Sequence, residues 1–208
     1  MLIMVCGLPG TGKSTEAEKI KNGTSVLSDM IPDTTGATIF RTDTIRSELF
    51  EEGDFETVKA SKTPEIYNLV WTFNTMKDIP QKYRDIIEDQ REIVYNEMLE
   101  QVKETLENGE VAILDGTFSE YITRQRFYEI ADDLNLDIYV VECVADREII
   151  RKRLEQRKNS PDDSSNVDKM EIYDYMNAKY EKPENDLNDF NLTYIRFDTG
   201  TGNFEKRD

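Results

Sequence analysis

Residues 5–15 read "VCGLPGTGKST" and continue the apolar run "LIMV" at 2–5. An apolar strand, a glycine-rich turn and then a helix-forming stretch is the context that the pattern Gly7-x4-Gly12-Lys13-Ser14 requires of a phosphate-binding loop. Each position has a physical task. Gly7, Gly10 and Gly12 let the chain turn tightly, so that the loop Leu8, Pro9, Gly10, Thr11 wraps the phosphates and successive N–H groups, from the residues other than Pro9 and from the helix start at Lys13, Ser14 and Thr15, face inward. The helix adds the positive end of its dipole. The Lys13 ammonium is expected on the β and γ phosphates and the Ser14 hydroxyl on Mg²⁺, so the stretch predicts binding of a nucleoside triphosphate.

Working outward, strands and helices alternate. Residues 2–6 read as a strand and the run after Gly12 as a helix to about Lys21. "ATIF" (37–40) reads as a second strand, followed by the helical "RTDTIRSELF" (41–50). The helix at 85–107 is the clearest, with Ile87, Val94, Met98, Val102 and Leu106 near helical spacing and "NG" at 108–109 to end it. "EVAILD" (110–115) and "DIYVVECV" (137–144) are strands, 121–134, 146–158 and 167–180 are helical, and "LTYIRF" (192–197) is the last strand. Strands that are apolar throughout, separated by helices, indicate a parallel sheet covered on both faces. The expectation is one three-layer α/β/α domain over 1–208 with a mostly parallel, five-stranded sheet. It carries a helical insertion at about 53–84, bearing Tyr67, Trp71, Phe73 and Tyr83, and a mobile lid at about 147–166.

Composition narrows the chemistry. The 208 residues hold no histidine and two cysteines, Cys6 and Cys143, both in apolar runs, so Ser-His-Asp triads and histidine-ligated zinc are excluded. Both cysteines read as buried thiols of a reducing compartment. The start "MLIMVC" has no basic leader, and no run approaches about 20 apolar residues, so a cytoplasmic protein with no membrane partner is expected. Forty-three acidic side chains against 26 basic ones give a net charge of −17, which opposes broad nucleic-acid binding.

A phosphate loop alone does not separate kinases, switches and mechanical ATPases. No N-K-x-D guanine reader occurs, and the third strand ends Asp115-Gly116-Thr117 rather than in the D-E of ring ATPases. A kinase needs a group for the acceptor hydroxyl and cations for the transferring phosphoryl. Asp43, at the carboxyl end of the second strand, is the candidate for the first, with Arg46 three residues on along the same helical face; the plain alternative is a helix N-cap. "DREIIRKRLEQRK" (146–158) offers the second: six basic against three acidic side chains, with Arg153 and Arg157 one turn apart. It reads as a lid that closes over phosphates, against the plain alternative of a solvated helix face. Asp115 is placed either as a Mg²⁺-holding acid or as a turn residue, and Arg124 either as a phosphate or substrate ligand or as a surface charge.

Taken together, "GLPGTGKST", "RTDTIRSEL", "VAILDGTF" and "DREIIRKRLEQR" with "SSNVDKMEIYDYMNAKYEKP" resemble the P-loop kinases of the AAA-domain-33 type. These include the kinase domain of bacteriophage polynucleotide kinase and are similar to gluconate kinases, zeta toxins and seryl-tRNA(Sec) kinases. The resemblance covers nearly the whole chain except about 53–84. It implies ATP- and Mg²⁺-dependent phosphorylation of a hydroxyl, with Asp43 as general base, Arg46 beside the acceptor and Arg157 as the lid arginine near the transferring phosphate, with Arg153 beside the nucleotide. The expected acceptor is a small molecule or nucleotide-like compound. The rivals are a polynucleotide 5′-hydroxyl or tRNA acceptor, and an ATP-binding regulatory module with no acceptor.

Overall fold

The computed structural model describes residues 1–50, 81–157 and 169–208. The expected insertion, up to residue 80, and the lid loop at 158–166 lie outside the described residues. The chain runs β1 (Leu2–Cys6), α1 (Lys13–Lys21), β2 (Thr38–Arg41), α2 (Thr42–Phe50), α3 (Gln81–Glu107), β3 (Ala112–Asp115) and α4 (Tyr121–Asp133). It continues with β4 (Ile138–Val144), α5 (Arg147–Arg157), α6 (Met170–Asn177), a 3-10 helix (Pro183–Asn188), β5 (Thr193–Asp198) and β6 (Phe204–Arg207).

Among the described residues the strands form a six-stranded sheet in the order β2-β3-β1-β4-β5-β6, parallel throughout except for the antiparallel β5–β6 pair. The sheet therefore has one strand more than the sequence predicts. Strand β6, "FEKR", is exposed at every residue and so carries no apolar pattern to announce it.

Strand β1 sits at the centre because all five of its side chains are apolar and fully buried. Successive residues face opposite ways. Leu2, Met4 and Cys6 enter a core with Val94, Met98 and Val102 of α3 and Phe127 and Tyr128 of α4. Ile3 and Val5 enter a second core with Ala17 and Ile20 of α1, Leu27 and Phe197. Burying an aliphatic side chain of this size contributes roughly 1.5–3 kcal/mol, so a five-residue strand committed to both cores anchors the three layers. Among the described residues no helix is long and apolar enough to cross a membrane.

Register places the site. Val5 and Arg41 are both level with Asp115, and Cys6 is level with Glu142, so the carboxyl ends of β1, β2, β3 and β4 stop on one edge. In open parallel sheets ligands sit beyond that edge.

Candidate nucleotide and acceptor site

The loop from Gly7 to Gly12 joins β1 to α1 with a geometry that glycine makes possible. Gly7 holds a φ of 139°, and a Cβ there would run into the Cys143 carbonyl oxygen on neighbouring β4. Gly12 is the N-cap of α1, left-handed at φ 89°, and no side chain caps the helix. The first-turn N–H groups of α1 therefore face the loop without a competing carboxylate or hydroxyl cap, an arrangement suited to anions. Within the loop the Thr11 hydroxyl donates to the Leu8 carbonyl at 2.7 Å.

Two pairs of polar side chains lie at or just beyond the carboxyl ends of the strands. Ser14 Oγ donates to Asp115 Oδ1 at 3.2 Å, joining the second residue of α1 to the last of β3. Asp115 is 4% exposed. A hydroxyl and a carboxylate oxygen this close are hard oxygen donors of the kind Mg²⁺ takes, so the two residues fit that ion. On α2, which follows the end of β2, Arg46 Nη1 donates to Asp43 Oδ1 at 3.0 Å, which puts both on one face of the helix as their spacing predicts. Asp43 lies in the first turn of α2, one residue inside the helix start at Thr42.

The basic run forms α5, and its arginines have separate positions. Arg153 is latched onto the phosphate loop: Nη1 donates to the Gly10 carbonyl at 3.1 Å and to Thr199 Oγ1 at 2.9 Å. Thr199 Oγ1 in turn donates to the Thr11 carbonyl at 2.6 Å. Arg157, one turn further along, lines a cavity of about 390 Å³ together with Gly12, Thr15, Arg153, Phe197 and Thr199. Its lining runs from the phosphate loop to the end of β5, and its volume lies in the range of small-ligand pockets. Arg147, at the start of α5, forms a two-bonded ion pair with Asp174 and lies over the Tyr173 ring, tying α5 to α6.

Arg124 is a correction to the sequence reading. Neither a phosphate ligand nor a surface charge, it is wholly buried, with Nε 2.6 Å from Asp186 Oδ2 and Nη2 2.9 Å from Oδ1. Its remaining nitrogen, Nη1, donates to the Phe118 carbonyl at 2.8 Å, and Tyr128 Oη donates to the same Asp186 at 3.1 Å. These bonds fasten α4 to the 3-10 helix beneath the site. Arg126 reaches the exposed Glu92 and Asn96.

Sequence reasoning overlooked Arg41, Thr199 and Phe197. Arg41 Nε donates to Asp115 Oδ2 at 3.2 Å, and its Nη2 pairs with Glu18 of α1. The turn "DTGTG" (198–202), directly after an apolar strand, was the available signal for Thr199, since strand carboxyl ends are where such sheets bind ligands. Nothing in one sequence places Arg41 beside Asp115, 74 residues away. Both cysteines are buried as expected, and burial, then the Glu142 carboxylate, push the Cys6 thiol up to about 12, far from nucleophilic chemistry.

A central phosphate loop, a parallel sheet ordered β2-β3-β1-β4-β5 and a basic helix after β4 define a P-loop fold of the kinase type. The AAA_33 family model, described as an AAA domain, matches residues 2–183, and the chain belongs to that family. No curated protein matches it in sequence. Among solved structures it is similar to Kti12 of Chaetomium thermophilum in complex with ADP-AlF3, with 17% identity, a TM-score of 0.58, and 96% of this chain and 89% of that one covered. An unliganded sugar kinase from Janibacter sp. HTCC2649 gives 14% identity and a TM-score of 0.56 over 95% and 84%. A gluconokinase from Sinorhizobium meliloti 1021 gives 13% and 0.51 over 94% and 81%. At these identities the likeness is one of fold.

Proposed function

We propose that this protein is an ATP-dependent kinase that transfers the γ-phosphoryl group to a hydroxyl of a small acceptor. The observation that carries the reading is the placement of two different carboxylates at one sheet edge. Asp115, bonded to Ser14, faces the phosphate loop, while Asp43, bonded to Arg46, stands at the adjoining strand end. A nucleotide-binding module needs only the first; the second supplies a base.

Lys13 and the α1 N-terminus hold the triphosphate in the loop. Ser14 and Asp115 would hold Mg²⁺, which supplies positive charge against the phosphate oxygens. Arg153 fixes the loop's shape through the Gly10 carbonyl, and Arg157, on the cavity wall, screens charge on the transferring group. Asp43 accepts the proton of the acceptor hydroxyl as the hydroxyl oxygen attacks the γ-phosphorus and the bond to the β,γ-bridging oxygen breaks, so that ADP leaves, and Arg46 holds the Asp43 carboxylate in place. The net charge of −17 favours a small acceptor over a polynucleotide. Sugar kinase and gluconokinase structures among the fold neighbours point the same way.

Incubation with γ-labelled ATP, Mg²⁺ and separate pools of sugars and sugar acids, nucleosides, 5′-hydroxyl oligonucleotides and tRNA tests this. Label should appear in a small-molecule pool; label only in the nucleic-acid pools would make the acceptor class wrong.

A further inference from the structure

Arg41 is the last residue of β2 and the register partner of Asp115 on β3. Its guanidinium takes one carboxylate oxygen, Oδ2 at 3.2 Å, while Ser14 takes the other, Oδ1 at 3.2 Å. Both oxygens of a nearly buried acid are thus engaged before any metal arrives. The same guanidinium also holds Glu18, one turn along α1 from Ser14, so it pairs with two carboxylates at once, one of them the Ser14 partner. Guanidinium stays charged at every working pH. A fixed cation at this distance in a partly desolvated place lowers the affinity of Asp115 for any second cation.

We propose that Arg41 is a positioning residue that closes the Ser14–Asp115 site to free divalent cations and admits Mg²⁺ only in company with a nucleotide. The triphosphate brings several negative oxygens to the loop, and these offset the repulsion that the Arg41 charge sets against a lone ion. The site then fills as a metal–nucleotide complex rather than metal first. Arg41 also keeps Oδ1 turned towards Ser14, so the arriving ion meets an oriented carboxylate. The inference rests on the assignment of Mg²⁺ to Ser14 and Asp115 made above.

Mn²⁺ is the probe, followed by the paramagnetic resonance signal of the free ion during titration with nucleotide-free protein. Wild type should leave Mn²⁺ free at concentrations where Arg41→Gln binds it at least about tenfold more tightly. Arg41→Lys, which keeps the charge, should resemble wild type, and adding Asp115→Asn to Arg41→Gln should remove the gain. Equal affinity in wild type and Arg41→Gln overturns the proposal. So does tight Mn²⁺ binding by nucleotide-free wild type that Asp115→Asn abolishes, a result that needs no Arg41 variant to fold. A parallel titration in the presence of ADP separates the two layers. If Asp115→Asn and Ser14→Ala leave the Mn²⁺ affinity of the ADP complex unchanged, the metal assignment itself is wrong. If they weaken it while Arg41→Gln behaves as wild type without nucleotide, only the role of Arg41 falls.

Discussion

One hydroxyl, that of Thr199, holds three parts of the site together. It accepts from Arg153 of α5, donates to the Thr11 carbonyl of the phosphate loop, and follows a backbone N–H bonded to the Val144 carbonyl at 2.9 Å. Thr199→Val keeps the shape and removes the hydroxyl's bonds, to Arg153, to the Thr11 carbonyl and, at 3.4 Å, to the Val144 carbonyl, leaving the Thr11 carbonyl short of a donor. Urea unfolding should show a loss of about 1–3 kcal/mol. ADP affinity by calorimetry should weaken several-fold, because the loop loses its brace, and Thr199→Ser should restore both. A valine variant with unchanged ADP affinity would show that the loop keeps its shape without this brace.

Between elements, the bonds that matter are buried and far apart in sequence. Arg124 on α4 and Asp186 in the 3-10 helix form an ion pair with side chains 0% and 2% exposed. Phe118, which holds a left-handed φ of 45° just before α4, turns its carbonyl to the same arginine. That conformation costs a non-glycine residue about 1–3 kcal/mol. The packing of its ring on Phe127 at 5.6 Å and Tyr95 at 5.8 Å helps to offset it. Removing one partner strands a buried charge, so Arg124→Met should lower stability by about 3–5 kcal/mol. The folded fraction should bind ADP as wild type does, since Arg124 takes no part in the cradle. If Arg124→Met instead lost ADP binding at full stability, Arg124 would be a ligand after all. The sequence shows α4 as a helix but not which arginine turns inward. Arg124 and Arg126 differ by two positions, and their fates depend on Asp186, Glu92 and Asn96.

Across the whole molecule, the layers were legible because apolar strands and a phosphate loop carry their own local signals. The ends of the predicted helices and strands lie close to those observed, and Asp43 pairs with Arg46 as the three-residue spacing predicts. The exposed, charged β6 and the cross-strand Arg41–Asp115 pair have no local signal, since one has no apolar face and the other is created by sheet register. The buried core also sets a pH limit. Burial first, and then the Glu142 carboxylate, raise the Cys6 thiol to about 12, and burial raises the Tyr95 phenol to about 12 as well. In the unfolded chain these groups ionise near about 8.5 and 10. Above those values the folded state binds more protons than the unfolded one, so stability is fully present below about pH 8.5 and falls as pH rises towards 12. Urea midpoints should drop between pH 8 and pH 10, and less so in Cys6→Ala; a midpoint flat with pH would contradict the assignment.

The most direct test of the proposed chemistry compares wild type and Asp43→Asn for label transfer from γ-labelled ATP to the acceptor pools, with ATP binding measured on the same samples. The account predicts equal ATP affinity in the two and transfer reduced at least about a hundredfold in the variant, the usual scale for loss of a general base. Transfer undiminished in Asp43→Asn, or tight ATP binding with no labelled product from wild type in any pool, would contradict it.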